Sequence, residues 1–91
     1  MGEFYYRVTD NDMCGDRIFS GDTVLIRESR TYLPSDICAI ANEHDISQLN
    51  FRRIDDRDNG YLLTASNIEI ETEMRDTILV VGIIIMFYQN T

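Results

Sequence analysis

Lysine is absent from this chain: its eight basic residues are all arginine. Chemistry that needs a neutral side-chain amine is thereby excluded, because a guanidinium stays protonated in proteins. Tryptophan is also missing, and proline and histidine occur once each, as Pro34 and His44. One histidine and two cysteines in no metal-ligand spacing leave too few ligands for a zinc centre, so no metal or cofactor is expected. His44 stands in the polar stretch Asn42-Glu43-His44-Asp45 and reads as a solvated turn residue. Positive charge is scarce: sixteen acidic groups against eight arginines give a net charge of −8. The arginines are scattered, so direct nucleic-acid binding by this chain is not expected. The longest apolar run, Ile78 to Tyr88, is 11 residues, against the roughly 20 a membrane-spanning helix needs. No basic and apolar leader opens the chain, which favours a cytoplasmic protein with Cys14 and Cys38 reduced. A disulfide between them stays open, because sequence does not give their Cα separation.

What is present is a folding composition. Ninety-one residues, 44% of them hydrophobic, with nine aromatics, suit one small domain over 1–91. Short runs rich in Val, Ile, Tyr and Phe alternate with clusters of Asp, Asn, Gly and Ser, and no segment carries a helical stripe. The expected fold is therefore all-β, a small distorted barrel or sandwich. Strands are expected at Phe4–Val8, Thr23–Arg27, Asp36–Asn42, Ser47–Ile54, Tyr61–Ala65 and Thr77–Gln89. Residues 42–45 should form a hairpin loop, and Asp58-Asn59-Gly60 should supply positive φ for another turn. Pro34 precedes the third strand, where no ladder donor is needed. Within Ser47–Ile54, alternation turns Arg52 away from Phe51. The last run does not alternate, which suits a strand covered on both faces. One cover could be a second copy, with Ile78, Val80, Ile83, Ile85 and Phe87 as the candidate dimer strand.

The most informative segment runs Val8-Thr9-Asp10-Asn11-Asp12-Met13-Cys14-Gly15-Asp16-Arg17-Ile18-Phe19-Ser20-Gly21-Asp22-Thr23-Val24-Leu25-Ile26. It resembles the nucleophile segment of the LexA/UmuD self-cleaving serine peptidases and phage-repressor C-terminal domains, in which Ser-Met is followed, after a turn-rich loop, by Gly-Asp and an apolar strand. Met13, Gly21 and Asp22 match; Asp12 stands where the serine would be. Leu49-Asn50-Phe51-Arg52-Arg53-Ile54 resembles the family strand of the type Val-Thr-Val-Lys-Arg-Leu, with Arg52 at the lysine. Three further segments resemble family pieces in order. These are Asp36 to Ala41, Tyr61 to Asn67 (the family's Leu-Pro-Glu-Asn stretch) and Ile78 to Tyr88. Leu33 to Asp36 is similar to the family's Pro-x-Asp-Gly-Asp turn.

The resemblance implies a signal-peptidase-like fold without its chemistry. A serine needs a desolvated lysine to take its proton; Arg52 cannot do that, and a carboxylate such as that of Asp12 is a poor amide nucleophile. An Asp12–Arg52 ion pair is expected where the dyad would meet. Cys14-Gly15 has the composition of a family cleavage dipeptide but follows the nucleophile position, and reads as coincidence. The implied role is self-association of a transcriptional repressor of a phage or other bacterial mobile element. The chain would be excised from a longer protein with an N-terminal helix-turn-helix, DNA being bound through that module. A homodimer is expected, controlled by an antirepressor or a separate protease. Two other readings stand beside it: an adaptor holding an extended peptide in the former active-site groove, and a peptidase with an unrecognised nucleophile such as Ser20 or Ser66. Asp10, Asp12 and Gly15 have the first, third and sixth places of a calcium loop, but Cys14 and Gly21 fill the fifth and twelfth, and no helices flank it. An aspartic dyad of Asp10 and Asp12 fits less well. The tyrosines are too scattered for a stacking platform.

Overall fold

The computed structural model describes residues 2–42 and 44–90. Seven strands form one antiparallel sheet: β1 (Glu3–Arg7), β2 (Thr23–Glu28), β3 (Cys38–Asn42), β4 (Asp45–Arg57), β5 (Gly60–Thr64), β6 (Glu73–Arg75) and β7 (Val80–Tyr88), in the order β1-β2-β7-β3-β4-β5-β6. The only helical piece among the described residues is a 3-10 turn, Cys14–Asp16. No helix among them is long and apolar enough to cross a membrane.

Period-two patterning decides which side chains go inside. Val24 and Ile26 of β2 are fully buried while Thr23 before them and Leu25 between them are only half-buried. In β3, lying between β7 and β4, successive residues enter different cores. Ala39 joins one cluster with Val8, Met13, Ile18, Val24, Ile26, Leu49 and Phe51; Cys38 and Ile40 join a second with Ile54, Leu63 and Val80. Strand β4 links the two. Its first half pairs with β3 (Ala41↔Leu49 to Cys38↔Arg52) and its second with β5 (Arg53↔Thr64 to Arg57↔Gly60).

The sheet also curls. Tyr6 on the edge strand β1 reaches across to β4, its hydroxyl accepting the Leu49 amide at 3.2 Å and its ring meeting Phe51 edge-on at 5.7 Å. Strands β1-β2-β7-β3-β4 thus wrap around the first cluster, which is the distorted barrel the composition suggests. Burial of Phe51, 2% exposed, is central to that wrap. Truncating such a side chain to alanine costs about 3–5 kcal/mol.

Several boundaries differ from expectation. The last strand begins at Val80, not Thr77, because Ile78 and Leu79 cross between strands, the Leu79 carbonyl accepting from Ala41. β3 begins at Cys38, not Asp36, whose carboxylate instead closes a turn on the Leu33 amide. β4 runs well beyond Ser47–Ile54 in both directions. Strand β6 was not expected at all. At the β4–β5 turn, positive φ falls on Gly60 (134°), whereas Asp58 and Asn59 keep ordinary backbone. The Asn42–Asp45 hairpin is present, though Glu43 itself lies outside the described residues.

Candidate functional site

The β1–β2 loop, residues 8–22, is built from short polar turns pinned by apolar anchors. Asp10 accepts the Asp12 amide at 3.0 Å, turning the chain so that Met13 and Ile18, each 2% exposed, drop into the first cluster. Between them the 3-10 turn ends on Arg17 in the left-handed region at φ 65°. Gly21, at φ 96°, donates to Val8, and Val8 donates to Asp22. The buried Asp22 carboxylate accepts the Phe19 amide at 2.9 Å and the Asn90 amide at 2.8 Å. These bonds hold its pKa below the ordinary value. The Gly-Asp pair is thus a structural clasp between loop and C-terminus.

Two ion pairs fasten the loop to β4. Arg52 Nη1 donates to Asp12 Oδ2 at 2.9 Å and to the Phe51 carbonyl at 2.7 Å, with the two side chains 11% and 20% exposed. Arg53 grips Asp16 with both terminal nitrogens, at 2.9 and 2.8 Å, and its Nε donates to the Ser35 carbonyl. The Arg53 hydrogen bonds hold the Asp16 carboxyl below its usual range, helped by Ser66 and opposed by burial. On the other side the 65–67 turn closes over the loop. Asn67 donates its backbone amide to the Asp12 carbonyl at 3.0 Å and its side-chain amide to the Asn11 carbonyl at 3.1 Å. Gly15 packs so tightly on Ser66 that a Cβ there would collide with the Ser66 carbonyl.

Asp12 and Arg52, forty residues apart, are therefore in direct contact. The guanidinium donates to the carboxylate and supplies no neutral amine at this position. Asp10 Oδ1 accepts the Asp12 amide, and Asp12 Oδ2 accepts from Arg52. Ser66 accepts the Asp16 amide at 3.2 Å. The carboxylate beside it is Asp16, already held by Arg53 and weak as a base. Ser20 lies exposed in the Gly21 turn, its amide donating to Asn11.

The remaining candidates are dispersed. Ile78, Val80 and Ile83 pack into the second cluster, Ile85 is half-buried, and Phe87 is 39% exposed. Beside Phe87, Met86 and Tyr88 are exposed, and the Tyr88 ring lies 6.1 Å from that of the exposed Tyr5. Sequence reading takes the tyrosines as too scattered for a platform and Met86 as part of a covered strand; the register Tyr5↔Leu25↔Met86, a property of pairing across three strands, puts Tyr5, Met86 and Tyr88 on one face. The same reading missed the Asp16–Arg53 pair. Cys14 and Cys38 are free; Cys38 is sealed in the second cluster, where burial, then Asp36 and Asp56, push its thiol up to about 12. His44 is exposed.

A search of curated proteins finds no match to this chain. The family model described as Peptidase S24-like matches residues 2–85, a span holding the whole Asp12–Arg52 site, strands β1 to β6 and most of β7. With that extent of match and an all-β sheet to accompany it, the chain belongs to the Peptidase S24-like family.

Proposed function

We propose that this chain is a non-catalytic member of its family, serving as the self-association domain of a transcriptional repressor. The observation that carries the reading is the Asp12–Arg52 ion pair, which fills with two fixed charges the positions where the family resemblance puts serine and lysine. Self-association is supported by the exposed side chains Tyr5, Met86 and Tyr88 on the outer face of β1-β2-β7. Of the expected dimer residues, Phe87 is exposed but on the opposite face of β7, paired with the buried Val24, and Ile85 is half-buried. A helix-turn-helix module fused to such a domain would gain operator affinity through effective concentration. Release would fall to an antirepressor or a separate protease, since self-cleavage is unavailable to an Asp-Arg pair.

Two measurements test this. Incubation with a denatured protein, with and without a serine-directed inhibitor, should show no turnover; inhibitor-sensitive cleavage would refute the non-catalytic reading. Light scattering at tens of micromolar should give a dimer, and a monomer there removes the self-association reading.

A further inference from the structure

The sheet has exposed edges, and they are not protected alike. Unpaired strand edges attract other chains, and proteins blunt them with charge or brevity. Edge strand β1 carries Glu3 and Arg7 at its ends, and β6 is three residues long with Glu73 and Arg75 at its ends. Strand β7 has a third edge. Its pairing with β3 ends at Cys38↔Ile83, with one further bond from the Ile84 amide to the Ile37 carbonyl. Pairing with β2 continues on the other side to Tyr88. Met86-Phe87-Tyr88 therefore has β2 on one edge and, among the described residues, no strand on the other, while Ile85, where the β2 register shifts, has a register partner on neither side. This half-edge carries no charge and no proline. It borders a groove of about 390 Å³ whose apolar wall is Ile18, Ile37, Ile84 and Phe87, and whose polar wall is Asp36 with the Asp16–Arg53 pair.

We propose that this groove receives an extended segment of a partner protein, which adds as a strand to the Ile85–Tyr88 edge and carries apolar residues alternating with lysine or arginine. Main-chain bonds to the open edge supply the grip, and alternate side chains enter the groove. The charge on the page selects the occupant. Arg53, the one base in the groove, is neutralised by Asp16, which leaves Asp36 as its net charge on a chain of net −8. The same edge of a second copy, Ile85-Met86-Phe87-Tyr88, has no base to meet Asp36, whereas a basic segment is drawn in. The site stands apart from the Asp12–Arg52 pair and holds whether or not the domain dimerises through its Tyr5 face.

Fluorescence anisotropy on the full chain tests it, using a labelled nine-residue peptide of alternating valine and lysine. A valine–glutamate peptide of equal length and a valine–lysine peptide N-methylated at alternate amides serve as comparisons. The valine–lysine peptide should bind at micromolar concentrations, its N-methylated form at least tenfold more weakly and the glutamate peptide not at all. Phe87→Lys, which places a charge on the edge, should also weaken binding tenfold or more, with its thermal unfolding showing that it still folds. Asp36→Asn, which keeps the oxygen that accepts the Leu33 amide, should weaken it severalfold. Equal binding of the N-methylated peptide would mean charge attraction without strand addition, and would overturn the proposal. Absence of peptide binding together with a dimer that Phe87→Lys dissociates would assign the edge to a second copy, and equally overturn it.

Discussion

Removing Arg52 alone would strand the Asp12 carboxylate in a site where its side chain is only 20% exposed. Such a charge is costly to leave unpaired, so Arg52→Ala should destabilise by about 2 kcal/mol. The double variant Asp12→Ala/Arg52→Ala should cost less than the two single changes summed, with a coupling of about 1 kcal/mol. Urea denaturation of the four proteins measures it, and additivity within error would mean the pair is not felt. For Asp16 the prediction is a pH dependence. Its folded pKa is lowered below the ordinary 3.8 chiefly by the Arg53 hydrogen bonds. Folding therefore gains stability from this group that is complete above 3.8 and is lost as pH falls through the lower folded value. Asp16→Asn should flatten the acid limb of a stability–pH curve and leave its slope above pH 5 unchanged. The two pairs differed in legibility. Asp12–Arg52 was readable because the family resemblance assigned both positions to one site. Asp16–Arg53 was not, because a 37-residue separation and a lone Asp in a turn carry no local signal of pairing.

At the scale of elements, composition located six of the seven strands, because Val, Ile, Tyr and Phe crowd into short runs where strands form. Strand β6 escapes because three residues are too short a run to show a period and Glu-Met-Arg has no β-branched residue; pairing with β5 (Leu63↔Glu73 to Tyr61↔Arg75) imposes its conformation from outside. The unpatterned final run implies a strand covered on both faces, which holds for its first half, where the cover is the chain itself, and not for Met86, Phe87 and Tyr88, which are exposed. Val80 and Ile83 belong to the second cluster and Ile84 packs on the first. Periodicity could not reveal that β7 sits between β2 and β3, since strand order depends on contacts distant in sequence. Gly82 marks that central position. A Cβ there would strike the Arg27 carbonyl and approach Ile26 Cγ2 to 2.8 Å, so strands β2 and β7 touch backbone to side chain across it. Gly82→Ala should force the ladder apart and cost about 1–3 kcal/mol, the range for overpacking. A fall in the urea midpoint together with faster amide exchange at Ile26 and Arg27 would register it; an unchanged midpoint would show that β2 moves without strain.

For the molecule as a whole, charge and apolar surface pull against each other. The chain carries −8, so two copies meeting through the Tyr5, Met86 and Tyr88 face bring together −16. Long-range repulsion opposes the encounter, while burial of the aromatic and methionine side chains favours it at about 25 cal/mol per Å². Ions screen the first effect and leave the second nearly untouched, because the Debye length falls from about 10 Å at 0.1 M to about 3 Å at 1 M. The face itself is nearly neutral at its rim, where Arg27 of β2 pairs with Glu3 of β1 at 3.3 Å, so little specific attraction is lost to salt. Dimerisation should accordingly tighten as sodium chloride rises from 50 to 500 mM, by severalfold in Kd from sedimentation equilibrium. Tyr5→Glu, which adds an acid at the centre of the contact without touching either core cluster, should yield a monomer at every salt concentration. A dimer that weakens with salt would instead be held by ion pairs across its interface. The exposed aromatic face would then not be the surface that joins the copies.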